Sequence, residues 1–202
     1  FWNRFLRKVS YKLISKKINC AVVHTQQVEE KLKLYGIENI KKFEYPGFGS
    51  VCNRVSNHLP RRLLAFGATR YDKGLDILLE ALNLVEEDFY LYIVGKDTYF
   101  DKEYIIKSIS KYREKVYLDL RVVNDKEKEK YFAETDIVVL PYRKIFDGAS
   151  GPLCDGVIKE KMIIGPDHGS VKYLIEENHL GYTFHSESSD SLAEIISKAI
   201  KD

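Results

Sequence analysis

From Arg62 to the C-terminus, short runs of β-branched and aromatic residues alternate with segments whose apolar residues recur at helical spacing. Few folds accept that pattern. The runs are Leu63–Phe66, Phe89–Val94, Val116–Val123, Ile137–Pro141, Met162–Ile164 and Gly181–Phe184. Between them lie stretches such as Leu75, Ile77, Leu78, Leu79 and Leu82, and near the end Leu192, Ile195, Ile196 and Ala199. Strand and helix in regular turn make βαβ units, and hence a parallel sheet with helices on both faces. Ile137–Leu140 is apolar at every position, as a strand buried on both faces requires. The expected fold is α/β, a doubly wound parallel sheet.

The first fifty residues are patterned differently. Phe1–Ile18 puts Trp2, Phe5, Leu6, Val9, Leu13 and Ile14 on one stripe of an amphipathic helix. A strand (Cys20–His24), a helix (Val28–Tyr35, closed by Gly36) and a second strand (Ile40–Tyr45) follow. Pro46–Pro60 then holds Gly47, Gly49, Ser50, Asn53 and Asn57, which is linker chemistry. Two or three elements cannot bury a core alone, so residues 1–50 read as the tail of a preceding N-terminal domain. Residues 51–60 are then a hinge and 61–202 a ligand-binding domain. The opening helix carries Arg4, Arg7, Lys8, Lys12, Lys16 and Lys17, with no acid before Glu29. Two readings stay open for residues 1–17: the solvated basic face of a packed helix, or a peripheral contact with an anionic membrane.

Composition removes several classes. Lys and Arg number 32 against 30 Asp and Glu, a net charge of +2, which is too little for a protein that holds nucleic acid by bulk charge. No apolar run reaches the roughly 18 residues of a spanning helix. Cys20, Cys52 and Cys154 form no C-x-x-C pair and there is no N-x-S/T sequon, so free thiols in a cytoplasmic setting are expected. The sequence lacks D-x-D, HExxH, G-x-S-x-G and any GxGxxG after a strand. Metal held by an aspartate pair, zinc hydrolysis, a serine elbow and a dehydrogenase-type site therefore lose support.

In an open α/β sheet, ligands bind beyond the carboxyl ends of the strands, so the segments after each apolar run are the places to search. After the first run stands Phe66-Gly-Ala-Thr-Arg-Tyr-Asp-Lys-Gly74, where Gly67 allows close backbone approach and Arg70 and Lys73 supply cations for a diphosphate. A solvated loop that happens to hold two cations explains these residues equally well. The second run ends at Val94-Gly95-Lys96. The fourth leads into Phe146-Asp-Gly-Ala-Ser-Gly-Pro-Leu-Cys-Asp155, small residues followed by a proline suited to a helix start, whose N–H groups and dipole favour an anion. Asp147 and Asp155 bracket that start and could hold sugar or ribose hydroxyls, or serve as a turn residue and a dipole partner.

The succession of Phe-Gly-x-x-Arg-x-x-Lys-Gly, Tyr-Ile-Val-Gly, Tyr-Phe-Ala-Glu-Thr-Asp-Ile-Val-Val-Leu-Pro-Tyr and Lys-Met-Ile-Ile-Gly-Pro-Asp-His-Gly-Ser resembles the C-terminal, donor-binding domain of family-four glycosyltransferases of the GT-B fold. The likeness runs over about residues 40–202. It implies a Rossmann-like domain that binds a nucleoside-diphosphate sugar and moves the sugar, with retention and without a metal or other cofactor, to a glycan or lipid-linked acceptor in polysaccharide or glycolipid synthesis. The cysteine usage and the missing sequon favour a cytoplasmic enzyme, and the membrane reading of the basic helix would make it peripheral to the inner face of the membrane. The family's two glutamates, seven residues apart, fall on Asp147 and Asp155. By resemblance, Asp147 meets the donor sugar and Asp155 the ribose, Lys73 and Arg70 contact the diphosphate, Ser150 and Gly151 aim N–H groups at it, and the backbone near Val123 reads the base. Two departures stand out: both acids are one methylene shorter than glutamate, and the arginine precedes Lys73 by three residues instead of following Gly67 directly. The acceptor site belongs to the family's N-terminal domain, so these 202 residues are expected to bind donor without transferring sugar. A GT-B epimerase or phosphorylase and a non-catalytic nucleotide-binding scaffold are the competing readings.

Overall fold

The computed structural model describes residues 2–43, 57–146 and 148–202. Most of the expected hinge, Cys52 and Asp147 lie outside the described residues. The chain divides into two compact units, Phe1–Pro46 and Gly47–Asp202.

The first unit holds α1 (Trp2–Ser15), β1 (Ala21–Val23), α2 (Gln26–Lys33) and β2 (Ile40–Lys42), with β1 and β2 paired in parallel. Thr25 caps α2 by accepting from the Val28 N–H at 3.3 Å. Val23 and Ile37 are buried. Of the apolar stripe expected on the opening helix, Leu6, Val9, Leu13 and Ile14 are 40–66% exposed. Helix periodicity was enough to place α1, but a parallel pair of three-residue strands offers too little surface to cover it.

The second unit is the α/β domain. Its strands are β3 (Arg61–Phe66), β4 (Phe89–Val94), β5 (Val116–Asp119), β6 (Ile137–Val139), β7 (Met162–Pro166) and β8 (Gly181–Phe184). All pair in parallel, in the order β5-β4-β3-β6-β7-β8. Its helices are α3 (Leu75–Ala81), α4 (Lys102–Ser108), α5 (Asp125–Glu134), α6 (Gly151–Ile158), α7 (Gly169–Glu177) and α8 (Ser189–Lys201).

Strand periodicity of two assigns neighbouring residues to opposite faces. Leu63, Ile137, Val139 and Ile164 join Leu78 of α3, Ile105 of α4 and Ile196 of α8 in one core layer. Leu64, Val138, Leu140 and Ile163 join Phe132 of α5, Leu153 of α6 and Ile175 of α7 in the other. The unbroken apolar runs are thus explained, since both faces of each central strand are covered.

Two strands are shorter than their apolar runs: β6 ends at Val139, two residues before Pro141, and β5 ends well before Val123. The run Val116–Val123 was expected to be extended throughout, yet β5 stops at Asp119 and Val122 is exposed. Asn124 and Glu127 form a reciprocal capping box that starts α5, so the chain must leave the sheet by then. Asp119 is meanwhile fixed by the Tyr131 hydroxyl at 2.7 Å and Arg121 Nε at 2.9 Å.

The sheet's centre forces two glycines. Gly74 has φ +63°, and a Cβ there would lie 2.0 Å from the Pro141 carbonyl oxygen. Gly95 has φ +136°, with the Gly67 carbonyl oxygen 2.3 Å from the corresponding position. Gly169 shares a positive φ, +65°, but has open space where a Cβ would go. Gly169→Ala should therefore cost about 1 kcal/mol for the left-handed backbone alone. Gly74→Ala adds a clash with backbone that cannot yield and should cost about 2–4 kcal/mol. Urea unfolding of the two variants beside the parent checks the difference; equal losses would show that the Gly74–Pro141 approach is slack.

Candidate functional site

The strand order is that of dinucleotide-binding folds, in which winding reverses between the first and fourth strands of the domain, here β3 and β6. The carboxyl ends of those two strands therefore define the crevice. On the β3 side the chain runs through Gly67, Ala68 and Thr69 into a short 3₁₀ turn, Tyr71–Lys73, which Gly74 closes in the left-handed conformation. On the β6 side it runs through Pro141 and Tyr142 to Ser150, the N-cap of α6.

The two walls are tied together. Thr69, buried, donates its hydroxyl to the Phe100 carbonyl at 2.7 Å and accepts from the Thr98 N–H at 2.8 Å, which joins the loops after β3 and β4. Arg143 links the loop after β6 to the 3₁₀ turn. Its N–H reaches the Asp72 carbonyl at 3.0 Å, its Nε reaches the Tyr71 carbonyl at 3.0 Å, and its guanidinium pairs with Asp76. The Ser170 hydroxyl donates to the Gly148 carbonyl at 3.3 Å, joining the start of α7 to the loop after β6.

Lys73 is the most unusual group in the crevice. Its Nζ lies 3.8 Å from the centre of the Tyr142 ring and 4.0 Å from that of Phe146. Burial, with Arg70 nearby as a second cause, lowers its pKa from 10.5 to about 8. Lys73 lines a cavity of about 30 Å³ together with residues including Gly67, Thr69, Pro141 and Tyr142. Tyr142 is itself buried, and its hydroxyl shares a 2.9 Å hydrogen bond with Ser150 Oγ. Ser150 Oγ also accepts from the Leu153 N–H at 3.2 Å. Pro152 has no N–H and that of Leu153 is engaged, so α6 presents its anion-facing donors through Ser150 and Gly151.

Lys73, Gly67, Ser150 and Gly151 lie at this one crevice. Arg70 is exposed and turned to its neighbour Asp72, whose hydrogen bond raises the guanidinium pKa. Asp155 sits one turn into α6 and is not free: Lys128 of α5 reaches its Oδ1 at 3.2 Å. Val123 lies in the loop before α5 and packs against the same core layer as Cys154. Gly95 backs onto Gly67. Asp147 lies outside the described residues. Tyr142, Phe146, Arg143 and Lys128 escaped the sequence reading. The Pro-Tyr dipeptide closing the fourth apolar run was the available signal for the first of them.

At the far edge, Asp167 after β7 accepts from Ser186 N and Oγ at 2.9 and 2.6 Å and meets His185 Nδ1 at 2.9 Å. These bonds, those of Ser186 foremost, hold its carboxyl well below the usual range.

The half-buried Lys73 ammonium bears on stability with a definite sign. Below about pH 8 Lys73 is charged in both the folded and unfolded chain, and the desolvation cost is fully present. Between about 8 and 10.5 the unfolded chain binds the extra proton, so this contribution makes stability rise with pH. A shift of this size outweighs the roughly 0.5–2 kcal/mol that ring contacts return. Lys73→Met should raise stability at pH 7 by about 1–3 kcal/mol, with the gain fading toward pH 10.5. Melts across that range test it; a loss of stability at pH 7 would show that the rings outweigh the burial.

Comparison with known proteins gives the lineage. The family model of glycosyl transferases group 1 matches residues 60–202. A search of curated protein sequences gave no match. Among solved structures, the C-terminal domain of the Francisella tularensis group 1 glycosyl transferase LpcC superposes with a TM-score of 0.60 at 20% identity, covering 70% of this chain and 76% of that one. S. aureus TarM, in complex with fondaparinux, α-GlcNAc-glycerol and UDP, gives 0.75 at 18% identity over 94% of this chain and 38% of its own. Anabaena HepE, in complex with UDP and glucose, gives 0.73 at 18% over 96% of this chain and 57% of its own. The chain thus spans 38% and 57% of the latter two, and identities this low establish the fold. With the family model covering the whole of the doubly wound domain, the chain belongs to the glycosyl transferases of group 1, enzymes of the GT-B fold.

Proposed function

We propose that residues 61–202 form the donor-binding half of a retaining glycosyltransferase that moves a hexosyl group from a nucleoside-diphosphate sugar to a polysaccharide or glycolipid acceptor. The observation that carries this reading is the Lys73 ammonium held at the switch-point crevice, on the side of Tyr142 and the N-cap of α6. A diphosphate leaving group needs positive charge where its own charge develops. Lys73 and the Ser150 and Gly151 N–H groups supply that charge, and no metal is assigned a role.

In the reaction the bond between the sugar's anomeric carbon and the diphosphate oxygen breaks, and the electron pair leaves with the diphosphate. The acceptor oxygen bonds to the same carbon from the same face, and its proton passes to a base on the acceptor half. Asp155 is assigned to the ribose, Asp147 to the sugar hydroxyls, the backbone near Val123 to the base, and Arg70 to the rim of the diphosphate. The acceptor site is assigned to the N-terminal half, of which residues 1–50 are the last part, so these 202 residues alone bind donor without transferring sugar. The reading takes the chain to be cytoplasmic, and for the basic residues of 1–17 both the solvated face and the peripheral contact with anionic lipid stay open. No helix among the described residues is long and apolar enough to cross a membrane.

Calorimetry against uridine, guanosine and adenosine diphosphates tests the reading directly. One of them should bind, and Lys73→Ala should weaken it by about 1.5–3 kcal/mol, as loss of a charge-assisted hydrogen bond does. Asp155→Ala should weaken the diphosphate and its sugar conjugate alike, since both contain the ribose. Failure of all three nucleotides to bind would overturn the assignment.

The sugar clamp calls for a turnover measurement on an enzyme that also carries the acceptor half. There, Asp147→Asn should lower kcat while leaving diphosphate affinity nearly unchanged, and transfer should persist in excess EDTA. Equal losses for diphosphate and sugar-diphosphate would make Asp147 a turn residue.

A further inference from the structure

We propose that Tyr142 and Phe146 are positioning residues for the transfer reaction, a two-ring clamp that holds the Lys73 ammonium at the crevice between β3 and β6 before the diphosphate arrives. The proposal rests on reading that crevice as the donor site.

Geometry makes the clamp independent of the lysine it holds. The two rings contact each other, with centroids 4.4 Å apart. Tyr142 is fixed by burial and by its hydroxyl's bond to Ser150, and the Phe146 N–H returns to the Arg143 carbonyl at 2.9 Å to close a turn. Arg143 in turn fastens this loop to the 3₁₀ turn that carries Lys73, through the Tyr71 and Asp72 carbonyls. Loop, rings and lysine backbone are therefore one tied assembly, with the ammonium 3.8 and 4.0 Å from the ring centres. A free lysine loses much rotamer freedom when it grips a phosphate, and a clamp removes that loss in advance.

The surrounding charges fit this role. Arg70 opposes the Lys73 charge and Asp72 favours it. Arg143 and Asp76 satisfy each other, and the Tyr142 phenol is kept protonated by its burial. Since Arg70 and Asp72 also pair together, the rings remain the main fixed partners of the ammonium among the described residues.

Two measurements on the chain test the clamp. The first follows acetylation of each lysine against pH by mass spectrometry and needs no ligand. Lys73 should titrate near pH 8, below the exposed lysines. Phe146→Ala admits water and should move that titration up by about one pH unit or more. Phe146→Leu keeps the bulk but drops the π face and should move it down. Phe146→Tyr should restore it. The second measures UDP affinity from pH 7 to 10. The parent should weaken above about pH 8. Phe146→Ala should lose about fivefold at pH 7, with its alkaline limb displaced as the labelling predicts.

A uniform loss without displacement of the limb would leave Phe146 a merely structural residue and overturn the proposal. So would tighter UDP binding in Phe146→Ala, which would mean that the rings withhold the lysine, or a parent Lys73 that titrates with the exposed lysines. Should the parent bind no nucleoside diphosphate, the donor-site reading falls, and the labelling series still decides whether the clamp exists.

Discussion

The divergence of two neighbouring strands places the whole ligand end of this domain. β3 and β6 lie side by side, but the helix after β3 packs into one core layer and the helix after β6 into the other. Their connecting loops must therefore part, and the gap between them is the crevice. Parting also leaves the loops without ladder partners, which is why other bonds replace the ladder there: Thr69 to the loop after β4, Arg143 to the 3₁₀ turn, Ser170 to the loop after β6. At Gly74 and Pro141 the two walls approach so tightly that a side chain on Gly74 would clash with the Pro141 carbonyl.

The lysine in that gap is costly by ordinary folding criteria. A cation taken from water needs a partner, and the ones fixed around Lys73 are two aromatic faces, which return only part of the hydration lost. A carboxylate in their place would have neutralised the ammonium and competed with any anion arriving from solvent. Aromatic rings hold the charge without cancelling it, so the field remains for a ligand to use. Pre-set charge in a partly dry cleft is what electrostatic stabilisation of a leaving group requires.

How much of this was legible in the sequence depends on how far apart the interacting residues stand. The βαβ alternation is a local pattern, and Leu63/Leu64 or Val138/Val139 declare two buried faces within a few residues. The Gly67–Gly74 segment and the start of α6 at Ser150 were readable for the same reason, since phosphate loops and helix N-termini are written in consecutive residues. Val116–Val123 misled because apolarity persisted after the ladder ended, while the signal that ended it was the cap Asn124 with Glu127 beyond. The aromatic clamp joins Lys73 to residues about seventy positions on, and Lys128 meets Asp155 across 27 positions. No periodicity announces such pairs, because only the sheet's strand order brings them together.

The Lys128–Asp155 pair alters what the second acid can do. Asp155 does not stand with both oxygens open, because Oδ1 already accepts from Lys128 while the helix carrying it begins at the Ser150 cap. Two vicinal hydroxyls would therefore meet an acid whose direction is set by a neighbouring helix. For an aspartate, one methylene shorter than the family's glutamate, orientation matters more than reach, since a short side chain samples fewer rotamers and returns less entropy when it is fixed. The same α6 that presents N–H groups of Ser150 and Gly151 at its start thus presents a braced carboxylate one turn later. In the proposed donor site, both ends of a nucleoside diphosphate, charged phosphate and neutral ribose, would be addressed from a single eight-residue helix.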